Sequence, residues 1–457
     1  MPTQARRAAF AILLRVETQS SYAAELLHSP LTADLSAPDA ALATELVLGT
    51  LRWQAQLDFI AQQLTKMKWE SLDPEVRTAL RLGLYQLRFL TRIPPRAAVH
   101  ESVEIVKISG KRSAAGLVNA VLRKGGAVDL PSLRPQSMPA LDWLAVETSH
   151  PAWLLDRWEK RFGLPAARSL AGADNQPPPT CLRIAPNRTW TEIESQLRPI
   201  GVELSPGGFL KDSRQVLKGT VTRTDLLRRG DLVAQDEASQ IVPLLLAVQE
   251  GHRVLDLCSA PGNKTAQLAR HAGPPGLVIA GDLHWHRLRD WPEMTSSVWG
   301  LAMPKPAPIS KVALDGCASL PFRTRFDRIL VDAPCSGTGT LRRHPEIKWR
   351  LQPSDIQDLA EKQLRLLASA SAALDTQGRI VYSTCSLEPE ENRGVIARFL
   401  AAHPEFRLLP LRGETARLQP FFLPGSAWIL DNDFLETFPD RDGTDGFFAA
   451  ILERETP

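Results

Sequence analysis

The sequence predicts a multidomain chain: an all-α front domain, a small α+β module, and a C-terminal α/β domain of Rossmann-like type. Three observations carry this. The chain has 457 residues, more than one hydrophobic core organises. Apolar residues recur at helical spacing through the first 130 positions. From about Gly230 the pattern becomes strand then helix, repeated, which is the grammar of a parallel, doubly wound sheet.

The front domain, 1–130, rests on the runs AAFAILLRV, ATELVLGTLRWQAQLDFIAQQL, VRTALRLGLYQLRFL, HESVEIVKI and AGLVNAVLRK, each with an apolar stripe. Pro74 follows Asp73 at a helix start, Pro94 and Pro95 break the chain after Leu90, and Gly125-Gly126 closes the last helix. Residues 131–165 read as a proline-containing connection followed by an amphipathic helix in HPAWLLDRWEKRFG. A strand, a helix and a second strand then follow in CLRIAPNRTWTEIESQLRPIGVEL, giving an α+β module over 166–232. The last domain, 233–457, contains HRVLDLCSAPGNKTAQLARHAG, LVIAGDL, KVALDG, FDRILVDAP, a long helix through DIQDLAEKQLRLLASASAAL, GRIVYSTC and EPEENRGVIARFLAAH. Trp291, Trp299 and four prolines make the stretch between its second and third strands a weak helix former.

Charge is segregated. The formal total is +3, but Arg77 to Lys124 holds ten Lys or Arg against Glu101 and Glu104, a local +8 that leaves −5 for the remainder. Such a block suits a phosphate backbone, although a solvated helical face has the same composition. Five cysteines, an odd number without CxxC spacing, argue against a disulfide framework and for a reducing, cytoplasmic setting. Cys181 and Cys317 are assigned to packing. The amino terminus reads as an amphipathic helix containing Arg15 and Glu17, not as a signal peptide, and no run approaches the roughly 20 apolar residues that span a bilayer. No histidine pattern predicts a metal site, no feature marks an obligate protein partner, and no membrane association is expected.

The chemistry gathers at the predicted carboxyl ends of the strands. DLCSAPGNKT lacks both GxGxxG and GKS/GKT, which weakens hydride- and phosphoryl-transfer readings. A turn of small residues lets a ligand approach the backbone closely, and Asp256, Asp282 and Asp315 each end an apolar strand. Carboxylates without a phosphate cradle favour S-adenosylmethionine over NAD, with Asp256 suited to a cationic sulfonium and Asp282 to ribose hydroxyls. Cys335 and Cys385 also follow strands, on the same rim. Free cysteines are usually buried as small apolar residues, yet two on a ligand-bearing rim point to covalent catalysis.

Taken together, ELVLGTLRW, LRLGLYQLRFL, AVHESVEIVK and GLVNAVLRK resemble the NusB-like RNA-binding helical domain. DLCSAPGNKT, VDAPCSGTGTLRRHPEIKW, YSTCSLEPEEN and DGFFAAILE, in that order, resemble the NOL/NOP/Sun family of RNA cytosine-5 methyltransferases, which have a class I methyltransferase domain. The resemblance covers the whole chain. It implies S-adenosylmethionine as cofactor and small-subunit (16S) ribosomal RNA as substrate. Another rRNA or a tRNA remains an alternative target, and a non-catalytic RNA-binding assembly factor an alternative role.

Roles follow from the same motifs. The resemblance makes Cys385 the nucleophile that bonds C6 of the base and Cys335 the residue that assists product release. The residues alone leave this order open, because in DNA cytosine-5 methyltransferases the Pro-Cys cysteine is the nucleophile. Asp332 is expected to hydrogen-bond the cytosine edge, with Lys264 orienting that carboxylate or contacting the cofactor. The cofactor loop comprises Cys258, Ser259, Ala260, Pro261, Gly262, Asn263 and Lys264, joined by Asp282, Asp315 and Asp332. Asn263 stands where the family usually has glycine; asparagine tolerates positive φ, so the turn is expected to persist with Asn263 as a backbone contact. Arg342, Arg343, His344, Lys348 and Arg350, with Trp349 among them, form a basic cluster expected to meet RNA.

Overall fold

In the computed structural model, which describes residues 2–65, 67–185, 188–222, 224–289 and 306–455, the front of the chain is helical as its apolar period requires. Gln4–Thr18, Ala37–Arg52, Gln54–Leu64, Pro74–Phe89, Pro95–Ile108 and Ala115–Gly125 bury one stripe each. Ser36 caps the second of these by accepting from the Asp39 N–H. Residues 43–64 do not form one helix: the helical run breaks at Trp53, whose ring stacks on Phe89 at 4.7 Å. Gly49 faces Tyr85 so closely that a Cβ there would lie 2.0 Å from the ring, so only glycine permits this approach. Arg81 is held between Glu17 and Asp58 at 2.9 and 2.6 Å.

By contacts the chain forms two compact units: Met1–Pro177 with Leu341–Leu351, and Pro178–Thr340 with Gln352–Pro457. Part of the expected connection is itself a helix, Ala140–Thr148, with Trp143, Leu144 and Ala145 buried. Pro139, which reads as a breaker, sits at its N-cap, where a missing N–H costs nothing.

The segment Leu341–Leu351 holds the helical unit together by capping helix ends. The last carbonyls of a helix have no partner within it. Lys348 Nζ donates to Arg52 O and Ser149 O, both at 2.9 Å, and to Asn175 Oδ1 at 3.3 Å. Trp349 Nε1 donates to Leu51 O at 2.8 Å, Arg350 donates to Val16 O at 3.1 Å, and Glu346 accepts from Ala23 N at 3.1 Å. Burial lowers Lys348 to about 7, with Asp174 as the counter-charge that opposes the shift.

The second unit carries two sheets. Strands β1 (Cys181–Ile184), β2 (Glu203–Pro206), β3 (Ser213–Lys218) and β4 (Leu232–Ala234) form an antiparallel sheet in the order β2-β3-β1-β4. Helix Trp190–Leu197 packs Ile193 and Leu197 against its Leu182 and Ile184. The larger sheet contains β5 (Arg253–Asp256), β6 (Leu277–Asp282), β7 (Ile309–Ala313), β8 (Phe326–Asp332), β9 (Leu374–Thr384), β10 (Phe406–Leu409), β11 (Leu435–Thr437) and β12 (Phe447–Arg454). Its order is β10-β12-β9-β8-β5-β6-β7, with β11 paired to β12.

Strands β7, β6, β5, β8 and β9 are parallel; β12 joins β9 antiparallel and β10 and β11 join β12 antiparallel, so the sheet is mixed rather than wholly parallel. Alternation sends Val254, Leu330 and Val381 to one face, under helices Glu237–Leu245 and Asn263–Ala272. Leu255, Ile329 and Tyr382 face the other, under Pro353–Ala373 and Arg393–Ala402. The tryptophan- and proline-containing stretch between β6 and β7 falls largely in residues 290–305, outside the described residues. Among the described residues no helix is long and apolar enough to cross a membrane.

The capping role makes a prediction. Lys348→Ala leaves two buried carbonyls without their donor and should destabilise the helical unit by about 3 kcal/mol, read as a lowered urea midpoint. Lys124→Ala on an exposed helix end should change it by less than about 0.5 kcal/mol.

Candidate active site

Four strands deliver the site. β5 ends in Asp256, β6 in Asp282 and β8 in Asp332, while Asp315, expected to end a strand, lies two residues beyond the end of β7. Between them and the Cys258–Gly262 turn lies a cavity of about 320 Å³, lined by Cys258, Ala260, Asp282, Asp315 and Asp332 among others. The turn is fixed by Ser259, whose N–H and hydroxyl both donate to Gly281 O, at 2.8 and 2.9 Å. Gly262 takes the positive φ, +99°, and Asn263 begins the helix with ordinary backbone angles. The strain anticipated at Asn263 therefore falls one residue earlier, on a glycine that bears it without penalty.

Asp256 is buried and its carboxyl is pushed up to about 7 by that burial, despite the Thr265 hydroxyl donating to Oδ2 at 2.6 Å. Its other oxygen, Oδ1, has no hydrogen-bond partner among the described residues. Asp282 receives Ala260 N at 3.3 Å on one oxygen and His284 N at 3.0 Å on the other, which leaves lone pairs for a ribose diol. Asp315 lines the cavity and also accepts Cys317 N at 2.9 Å, a local turn bond. A cavity of this size rimmed by carboxylates, over a buried acid with an orphan oxygen, fits a nucleoside cofactor that carries positive charge.

The thiols stand beside it. Cys335 Sγ and Cys385 Sγ are 3.3 Å apart, both half-buried, in the loops after β8 and β9. The contact with Cys385, then burial, raises the Cys335 thiol well above its ordinary range, and at 3.3 Å either sulfur can donate to the other. Asp332 Oδ2 accepts from Lys264 Nζ at 2.6 Å and Oδ1 from Ser383 Oγ at 2.7 Å. That bond explains a lysine in the first helical turn, where the dipole disfavours a cation: Asp332 supplies the counter-charge, and the Phe447 ring lies 5.2 Å away. Below the cysteines two glycines meet backbone to backbone. A Cβ at Gly339 would lie 2.2 Å from Gly446 O, while Gly339 N donates to Cys385 O at 2.9 Å.

This geometry can be set beside known proteins. Residues 243–453 match the family model described as 16S rRNA methyltransferase RsmB/F, residues 3–125 the NusB family, and residues 150–216 the RsmF/B-like ferredoxin-like domain. A Bacillus subtilis protein named Probable ribosomal RNA small subunit methyltransferase B is 36% identical over 99% of both chains. The ribosomal RNA small subunit methyltransferase B of Sodalis glossinidius is 35% identical over 94% of this chain and 93% of its own. The chain belongs to the ribosomal RNA small subunit methyltransferase B family. A methyltransferase homolog from Pyrococcus horikoshii superposes on 70% of this chain and 100% of its own, with TM-score 0.57 and 26% identity. A second solved structure covers 99% of both chains at TM-score 0.80 and 24% identity, which shows the shared fold.

In this family member the basic cluster after Cys335 is placed differently from the expectation of an RNA-facing patch. Lys348 is 1% exposed and committed to carbonyl oxygens, Arg342 is buried with its carbonyl accepting from Arg52 at 2.9 Å, and Arg350 bonds Val16 O and Ser21 O. The reason is that helix C-termini supply the same negative potential as a phosphate, and they lie within the same unit. Arg343 and His344 are half-buried beside them.

Sequence reasoning missed Ser383 and Thr265, the hydroxyls that hold the two acids; each lies next to or near a motif residue, which was the available signal. Cys317, assigned to packing, does pack against the core beneath the sheet, and it also lines the cofactor cavity with Lys362.

The shifted acid makes a second prediction. The folded pKa of Asp256, about 7, lies above its unfolded value of 3.8, so the native state binds the extra proton between these limits. Stability of the cofactor-free protein should therefore fall as pH rises from about 4 toward 7. Asp256→Asn should remove this dependence, measured by urea unfolding at pH 5 and pH 8.

Proposed function

We propose that this protein methylates C5 of a cytosine in small-subunit (16S) ribosomal RNA through a covalent bond between Cys385 and C6 of the base. The observation that carries the reading is the pair of thiols 3.3 Å apart, next to the Asp332–Lys264 pair and the carboxylate-rimmed cavity. S-adenosylmethionine, held by Asp282, Asp315 and the Cys258–Lys264 turn, supplies an electrophilic methyl group.

C5 of cytosine is too electron-poor to attack that methyl unaided. The Cys385 thiolate adds to C6, and the C5–C6 π electrons become the nucleophilic pair of an enamine at C5. Asp332, fixed by Lys264 and Ser383, hydrogen-bonds the polar edge of the ring as charge shifts onto it. Methyl transfer would leave S-adenosylhomocysteine; the C5 proton then passes to water, and the C5–H electron pair reforms C5=C6 as the C6–S bond breaks and Cys385 leaves as thiolate. Cys335, whose thiol the contact and burial hold protonated, stands 3.3 Å away, close enough to assist that departure. The target base must be unpaired or flipped to present C6. Arg92, Arg96, Arg112, Arg123 and Lys124 are exposed on the helical unit and suit RNA phosphates, with Arg343 and His344 as further candidates.

The test is incubation with labelled S-adenosylmethionine and 16S rRNA followed by mapping of 5-methylcytosine; no transfer with cofactor binding intact sinks the reading. Cys385→Ala should abolish the protein–RNA adduct and lower turnover by at least ~10³-fold. Cys335→Ala should accumulate the adduct on denaturing gels. The opposite pattern would exchange the two roles.

A further inference from the structure

Beyond the thiols themselves, the loops that carry them share a single fastening point. Glu391 is fully buried, 0% exposed, although it carries a carboxylate. Its Oε1 accepts from Ser336 N at 2.8 Å and Gln363 Nε2 at 2.9 Å. Its Oε2 accepts from the hydroxyls of Ser336 and Ser386, each at 2.5 Å, and those hydroxyls are 2.9 Å from one another. Ser336 directly follows Cys335, and Ser386 directly follows Cys385.

One carboxylate thus ties the residue after each thiol to the other, across loops fifty positions apart in sequence. Gln363 extends the tie to the stretch before Cys335 by donating also to Pro334 O at 3.0 Å. Glu391 is itself held from below, where the Tyr382 hydroxyl donates to its carbonyl at 2.5 Å and Asn392, the next residue, bonds Thr384 Oγ1 and Ser386 O at 2.6 and 2.8 Å. Burying a carboxylate is expensive, and burial raises the Glu391 pKa against four hydrogen bonds that favour the ion. Apolar packing would hold a loop at lower cost; it would not give two loops one common set of directional bonds.

We infer that Glu391 is a positioning residue that sets the distance between Cys335 and Cys385 by clasping both of their loops. It does not touch the base or the cofactor cavity; it acts through Ser336 and Ser386. The inference rests on the proposed chemistry for its catalytic consequence, but the clasp itself is testable without RNA.

Diamide oxidises two neighbouring thiols by taking two hydrogens and two electrons onto its N=N bond, leaving one S–S bond and a hydrazine. The rate at which it joins Cys335 to Cys385, followed by peptide mass spectrometry, therefore reports their spacing. Glu391→Ala should slow this cross-link at least ~10-fold and lower kcat for methyl transfer on the order of 100-fold, the loss typical of a displacement near 1 Å. Its affinity for S-adenosylhomocysteine should stay within about 3-fold of native, since the cavity is lined by other residues. Glu391→Gln should keep both rates within about 3-fold. Its amide oxygen can accept from Ser336 N and Gln363, and its NH₂ can donate to the two hydroxyls.

Native cross-linking in Glu391→Ala overturns the inference, as does equal loss in Glu391→Gln, which would assign the effect to charge. Loss of S-adenosylhomocysteine binding in Glu391→Ala overturns it too, by showing a general structural role. Slow cross-linking in Glu391→Ala with no methyl transfer by the native protein upholds the clasp and defeats the proposed function instead.

Discussion

The parallel pairing of β8 with β9 is the interaction on which the site depends. Its register sets Asp332 opposite Ser383, and the two strands end together at the carboxyl edge of the sheet. A shift of one residue would turn Asp332 to the other face, because side chains alternate along a strand. It would also separate the loops that follow. With the register as it is, Ser383 reaches Asp332 Oδ1 and the two thiols approach to 3.3 Å. The neighbouring pairing of β5 with β8 brings Lys264, from the helix after β5, to the other oxygen of Asp332. Acid, lysine and thiols are thus consequences of two ladders of backbone hydrogen bonds.

In the helical unit, polarity is managed at the helix ends. Orphan carbonyls at the ends of Gln4–Thr18 and Ala37–Arg52 are met by side chains of Leu341–Leu351, and an orphan N–H at Ala23 by its glutamate. A strap whose cations face C-termini and whose acid faces an N-terminus matches the macrodipole in both senses. The same cations would have suited phosphate. Burial decided between the uses: Lys348 has no path to solvent, whereas Arg92, Arg96, Arg112, Arg123 and Lys124 do.

Much of this was legible in the residues. The helical period, the strand–helix alternation and the acids at strand ends are local signals, produced by burial of one face and by short polar turns. The motif cysteines were also legible as a pair on one rim. What local signals could not carry were features set by distant chain: the antiparallel strands β10, β11 and β12 on the edge of the sheet, the helix Ala140–Thr148 hidden behind Pro139, and the break at Trp53. Each depends on a partner far away in sequence, such as Phe89 for Trp53.

By itself, then, the sequence determined the architecture and the inventory of reactive groups, because hydrophobic periodicity and residue chemistry are written position by position. Tertiary structure alone decided how those groups are used. It decided for Asp332 between the two uses open to Lys264, withdrew Lys348 into helix capping, brought Cys317 to the cofactor cavity, and buried Glu391 between the two thiol loops. The physical reason is common to all four: the worth of a charge or a thiol depends on burial and on its neighbours, and both are fixed only when remote segments pack.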